Sequence, residues 1–130
     1  MPRLEHVAVW TSDIERACDF YARYFDATVG AAYRNPARGF ESRFVSFEGG
    51  ARLEVMRSER LPLVTAEPGA ERHGLTHLAI SVGSEARVDE LARRLQADGY
   101  GVIDGPRRTG DGYYEAVVLD PDGNRVEITA

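Results

Sequence analysis

Leu4-Glu5-His6-Val7-Ala8-Val9, near the start of the chain, reappears as Leu75-Thr76-His77-Leu78-Ala79-Ile80 at an offset of 71 residues. A second pair follows, Gly50-Ala51-Arg52-Leu53-Glu54-Val55 and Gly123-Asn124-Arg125-Val126-Glu127-Ile128, at an offset of 73. Two matches at nearly one spacing mark an internal duplication. The intervening segments follow one plan. After the first strand, Ser12 or Asp13 can cap a helix whose apolar positions Ile14, Ala17, Cys18, Tyr21 and Phe25 keep helical spacing, ending near Asp26. After the second copy's strand, Ser84 can cap a helix bearing Val88, Leu91 and Leu95, with Gly99 placed to stop it. Strand-like runs complete each half: Thr28 to Arg34, Ser42 to Phe47 and Arg52 to Arg57, then Gly101 to Asp104, Tyr114 to Leu119 and Arg125 to Thr129.

Each half therefore reads βαβββ, and the fold class is α+β. The expected organisation is a single domain of two modules, 1–57 and 75–130. Between them, 58–74 forms a linker that carries Pro62, Pro68 and Gly69 and lacks either period. A curled four-stranded sheet with one helix covers only one of its faces, so the other must pack on a second copy or line a cavity.

Composition narrows the function. The chain has 130 residues, is 43% hydrophobic and 28% charged, and carries a net charge of -5, which offers no basic patch for a phosphate backbone. Nucleic acid is excluded as a partner on this reading. No apolar run approaches the roughly 20 residues of a membrane helix, and MPRLEHVAVW lacks a signal-peptide core, so a cytoplasmic protein without a membrane partner is expected. All sixteen basic residues are arginine, which excludes a lysine Schiff base or a P-loop lysine. The single cysteine, Cys18, lies in register with the helix's apolar face and reads as core.

Strand alternation sets His6 with Leu4, Ala8 and Trp10, opposite Val7 and Val9. His77, Glu54 and Glu127 likewise oppose the apolar residues that flank them. A lone strand histidine is ordinarily a hydrogen-bonded structural residue, and a lone mid-strand glutamate ordinarily faces water. Here both recur at duplicated positions. If the halves fold alike and curl into a cup, two imidazoles and two carboxylates point inward. Carboxylates in such a cavity are costly unless paired or bound to a metal, and the repeat supplies no matching cations. One divalent ion resolves the cost, and two nitrogen and two oxygen donors suit Zn, Ni, Co, Fe or Mn. His73 has no counterpart and reads as surface.

These residues resemble the vicinal oxygen chelate superfamily, the glyoxalase/bleomycin resistance/dioxygenase proteins, over essentially the whole chain. Asp120-Pro121-Asp122-Gly123-Asn124-Arg125-Val126-Glu127 is similar to the family's DPDG turn leading into its last ligand strand. His6-Val7-Ala8-Val9 and Gly74-Leu75-Thr76-His77-Leu78-Ala79 are similar to two other ligand strands. The set His6, Glu54, His77, Glu127 matches bacterial-type glyoxalase I, whereas fosfomycin-modifying enzymes and extradiol dioxygenases use two histidines and one glutamate. The resemblance implies a metal-dependent lyase or isomerase acting on a small 1,2-dioxygenated substrate such as a 2-oxoaldehyde hemithioacetal. It makes Glu127 the catalytic base with Glu54 its partner, and it implies a homodimer. The chain departs from the glutathione-using pattern at Trp10, where an arginine is expected, and at Ser58, where an asparagine is expected. Trp10, Arg34, Arg38 and Arg43 are candidate substrate-binding residues, the three arginines either holding an anionic substrate or, as their sequence setting favours, standing as solvated surface charges. Two rival readings are a small-molecule binding or resistance protein using Trp10 as an aromatic platform, and a three-ligand dioxygenase or thiol transferase built on His6, His77 and Glu127. The glycine-rich Thr109 to Tyr114 reads either as a lip of the pocket or as an ordinary hairpin loop.

Overall fold

The computed structural model describes residues 1–62 and 67–130, so residues 63–66 of the expected linker lie outside the described residues. The chain divides into two compact units, Met1–Val64 and Thr65–Ala130. The first contains β1 (His6–Trp10), α1 (Ile14–Phe25), β2 (Thr28–Val29), β3 (Tyr33–Asn35), β4 (Phe40–Ser46) and β5 (Arg52–Ser58). The second contains β6 (His77–Ser81), α2 (Glu85–Ala97), β7 (Val102–Arg108), β8 (Tyr114–Leu119) and β9 (Arg125–Thr129). Both units place the first strand beside the last, in parallel. The sheet orders are β1-β5-β4-β2, with β3 also on β4, and β6-β9-β8-β7. This is the expected α+β plan of one helix and one mixed sheet, repeated.

The first sheet has five strands because the expected run Thr28 to Arg34 is broken. Val29 stands opposite Val45 and Tyr33 opposite Ser42, four steps along one strand against three along the other. One surplus residue must bulge between them. Gly30 keeps its backbone bond to Phe44 at 2.8 Å, and pairing resumes only at Tyr33.

Helix α1 begins where expected, with the Asp13 carboxylate accepting from the Arg16 N–H at 3.0 Å. It ends at Phe25, followed by Asp26 in the left-handed region with φ 53°. Its buried face is wider than the simple periodic stripe. Ile14, Ala17, Cys18 and Tyr21 are joined by Phe20 and Tyr24, whose rings lie 5.2 Å apart, while Phe25 is only half-buried. This face packs on Val45, Leu53 and Val55 of the sheet's inner side. In the second unit, Ser84 caps α2, and Val88, Leu91, Ala92 and Leu95 pack on Ala116, Val118, Val126 and Ile128. Each fully buried valine, leucine or isoleucine among them contributes on the order of 1.5–3 kcal/mol.

The turn into β9 is fixed by one buried carboxylate. Asp120 Oδ1 accepts from the Asp122 and Asn124 backbone N–H groups at 3.0 and 2.9 Å, and Oδ2 accepts from Asn124 Nδ2 at 2.9 Å. Gly123 completes the turn at φ 82°, and a Cβ there would come within 2.9 Å of Pro68 Cα. Residues past the described gap belong to this unit: the Gly69 N–H donates to the Gly123 carbonyl at 2.9 Å, and Arg125 Nε donates to the Gly69 carbonyl at 2.9 Å. The Thr109 to Tyr114 segment closes as a bonded hairpin turn, with the Thr109 N–H donating to the Tyr113 carbonyl at 2.7 Å.

Two outcomes follow from this packing. Asp120→Ala strips three donors of their acceptor and is expected to cost about 2–3 kcal/mol in urea unfolding. Cys18 is 2% exposed, and burial pushes its thiol from 9.0 to about 11. Iodoacetamide at neutral pH should therefore leave it intact in the folded protein and alkylate it in denaturant, as mass spectrometry can record.

Candidate functional site

The parallel pairings set the geometry. Ala8 lies opposite Glu54 on β1 and β5, and Ala79 lies opposite Glu127 on β6 and β9. Cross-strand partners share a face, so His6 joins Glu54, and His77 joins Glu127, on the side away from the helix. His6 Nε2 is 3.9 Å from Glu54 Oε1, and His77 Nε2 is 3.1 Å from Glu127 Oε2. The imidazoles are 42% and 38% exposed and the carboxylates 19% and 20%, so both pairs are open to a ligand within their own unit.

The outer ring nitrogens are also engaged. His6 Nδ1 bonds the Glu5 carboxylate, which in turn takes Arg52 Nε at 3.0 Å. First the imidazole and then the Arg52 guanidinium hold the Glu5 carboxyl below its ordinary range. Thr76 Oγ1 lies 3.0 Å from His77 Nδ1. An oxygen on Nδ1 fixes the ring's orientation and leaves Nε2 for a ligand, which is the usual support of a metal-binding histidine. His6 is held further by an edge-on contact with Phe44, 5.5 Å between ring centres. Among the described residues no group of three or more His, Cys, Asp or Glu side chains is arranged to hold an ion alone. Each unit supplies one imidazole and one carboxylate.

A third carboxyl stands on the second unit's open face. Glu115 on β8 shares a hydrogen bond with Glu127, and burial, that bond and the neighbouring charge push its carboxyl above the ordinary range. Sequence reasoning did not single out Glu115, although alternation along Tyr114 to Leu119 sets it opposite the buried Ala116 and Val118. Its place beside β7 depends on Gly105, where a Cβ would meet the Glu115 carbonyl at 2.5 Å.

The structure separates the three candidate arginines. Arg43 lies on the helix side of β4, donating from Nε to the Gly30 carbonyl at 2.9 Å and from Nη1 to Glu15 at 2.9 Å. Arg34 is 3.4 Å from Glu41, its partner across β3 and β4. Arg38 alone shares a cavity with Trp10, a space of about 300 Å³ that also touches Tyr33, Phe40, Ser58 and Arg60. Phe40 escaped the sequence reading because β4 begins two residues earlier than the run expected from Ser42. His73 is exposed.

Two α+β units, each with a histidine and a glutamate facing one another on the open side of a mixed sheet, define a class of duplicated-module proteins. The chain belongs to the Glyoxalase/Bleomycin resistance protein/Dioxygenase superfamily, whose family model matches residues 3–128. Members of this superfamily generally bind a divalent metal and act on small molecules. Among relatives, the chain is 28% identical over 130 residues to YqjT of Bacillus subtilis, a protein of uncharacterised function, covering 98% of each. Among solved structures it is similar to the trypanothione-dependent glyoxalase I of Leishmania major, with TM-score 0.78 and 20% identity, covering 99% of this chain and 86% of that one. It is also similar to a glyoxylase/bleomycin resistance protein/dioxygenase domain from Frankia, with TM-score 0.81 and 19% identity over 99% and 97%. At these identities the structural likenesses speak for the fold. No helix among the described residues is long and apolar enough to cross a membrane.

Because the four candidate ligands lie on open sheet faces and not under the helices, their removal should spare the fold. His6→Ala and His77→Ala are each expected to shift metal-free unfolding stability by less than about 1 kcal/mol, measured by urea titration in chelator.

Proposed function

We propose that the protein is a metal-dependent lyase or isomerase of the glyoxalase I type. His6, Glu54, His77 and Glu127 would hold one divalent ion of the Ni, Co, Zn, Mn or Fe group. The observation that carries this reading is the repeated placement of one imidazole Nε2 against one carboxylate, at equivalent register in both units. One imidazole and one carboxylate in each half make a mixed nitrogen and oxygen donor set, which fits such ions. The bound ion would supply electrophilic stabilisation of negative charge on two adjacent substrate oxygens.

The remaining chemistry belongs to the chain. Glu127 takes the proton from the carbon that bears the sulfur of a 2-oxoaldehyde hemithioacetal and returns it to the neighbouring carbonyl carbon. The hydroxyl proton moves between the two oxygens in the same sense, so the product is a 2-hydroxy thioester and no oxidant is needed. Glu54 lies beside His6 as the corresponding carboxylate of the other half. Glu115, hydrogen-bonded to Glu127, steadies the carboxylate that must reach the carbon. A homodimer working in the cytoplasm on a small-molecule substrate completes the proposal.

Elemental analysis of the purified protein should find close to one divalent ion per four-residue site, and chelation should abolish turnover of methylglyoxal with a thiol. Glu127→Gln should keep the circular dichroism spectrum and lower kcat by about 10²- to 10⁴-fold, the usual contribution of a positioned acid-base group. Protein that stays metal-free after supplementation would defeat the reading. Full activity in Glu54→Gln with ferrous iron and a catechol, or with fosfomycin and a thiol, would favour a three-ligand enzyme instead.

A further inference from the structure

The cavity at the far end of the first unit's open face has a composition that the metal site does not explain. Phe40 lines it, edge-on to Trp10 at 6.3 Å and 89°, and tilted against Tyr33 at 6.2 Å and 59°. Trp10 is 48% exposed and Tyr33 57% exposed, so two large rings stand open to solvent beside a third. An exposed aromatic cluster of this kind is a common mark of a binding surface. Arg38, at the end of the short turn Pro36–Arg38, and Arg60, just beyond β5, stand at the same cavity.

The two guanidiniums differ from those of the neighbouring strands β3 and β4. Arg34 and Arg43 have carboxylate partners, Glu41 and Glu15. Among the described residues neither Arg38 nor Arg60 has one. Glu59, next to Arg60 in sequence, lies against Gly39 and makes no ion pair with either. Two uncompensated planar cations beside three aromatic rings match a flat ring that carries an anionic group, because guanidinium binds carboxylate with paired donors and stacks on π faces. A cavity of about 300 Å³ sits at the small end of the range for small-molecule sites, enough for a compact ring system.

We propose that this cavity is a subsite for an aromatic carboxylate, which forms the non-reacting end of the substrate. Rings stack on Trp10 and Tyr33 over Phe40, and the carboxylate meets Arg38 and Arg60. The inference rests on the lyase reading only in assigning the occupant to the same substrate. Trp10 lies four residues beyond His6 on β1, and Ser58 four beyond Glu54 on β5, on the same face. At roughly 3.3 Å per residue the subsite is about 13 Å along the strands from the ligand pair. The substrate therefore carries its reacting carbons at one end and its ring at the other, joined by a chain of that reach.

Trp10 is the only tryptophan, so one indole N–H resonance reports on the cavity. Titration of the ¹⁵N-labelled protein with 2-naphthoate, with and without chelator, should move that resonance saturably in both conditions. The neutral analogue 2-naphthylmethanol should bind at least about tenfold more weakly, and the Arg38→Ala/Arg60→Ala double variant should lose that preference while the rest of its spectrum stays folded. Absence of a saturable shift, equal affinity for the alcohol, or unchanged preference in the double variant would overturn the proposal. So would glutathione moving Trp10 as effectively as 2-naphthoate, or a ligand-free shift that grows with protein concentration, which would mean that a second copy covers the rings. Metal content and the Glu127→Gln assay on the same preparations decide the lyase reading separately. A normal metal load with a silent Trp10 defeats the subsite alone, and a responsive Trp10 in protein that cannot take up metal defeats the lyase alone.

Discussion

The parallel pairing of the first and last strand in each unit is the constraint on which the rest depends. Parallel strands need a long connection, and each unit fills it with a helix and two or three antiparallel strands. The helix covers one face, and that face takes Leu53, Val55, Val126 and Ile128 into the core. Alternation then leaves the residues between them no choice of side. Glu54 and Glu127 face away from the helix because their neighbours are buried, and the parallel register sets each beside a histidine from the adjoining strand. The two histidine and glutamate pairs are thus held by backbone pairing and core packing.

That dependence also explains what could be read from the sequence. The duplicated hexapeptides, the cap residues Asp13 and Ser84, and the period-two runs in β5 and β9 are local signals, and they yield the modules and the two histidine and glutamate pairs. The broken strand at Gly30 was hidden, because a bulge depends on how many residues the opposite strand offers and not on the run itself. The fate of the arginines was hidden for a similar reason. Arg34, Arg38 and Arg43 look equivalent in sequence, yet the register of β4 sends Arg43 to the helix side, the partner strand gives Arg34 a carboxylate, and only the turn at Pro36 leaves Arg38 beside Trp10. Tertiary pairing distinguishes them, and composition cannot.

The two halves are alike in frame and different in what surrounds the frame. His6 leans on Glu5, Arg52 and Phe44, whereas His77 has Thr76 as its neighbour and Glu115 across from its carboxylate. On β4 the position facing Met56 of β5 is Ser42, which is buried, while β8 offers a carboxyl in the matching row. Duplication fixed the two histidine and glutamate pairs and left their neighbours to diverge. On the proposed function, acid-base work and substrate grip fall in different halves, with Glu115 and Glu127 in the second unit and the aromatic cavity in the first.

The strand β7 carries a consequence of another kind. It is one of the two edge strands of its sheet, and its pairing with β8 slips twice, between Val102 and Asp104 and again between Asp104 and Arg107. Pro106 removes one N–H from the rim, while Asp104, Arg107 and Arg108 set charges along it, Arg107 bonded to Asp104 at 3.1 Å. A rim so interrupted is a poor template for another strand. That edge of the second unit's sheet therefore resists extension by a further strand, through the same irregularity that brings Gly105 against Glu115.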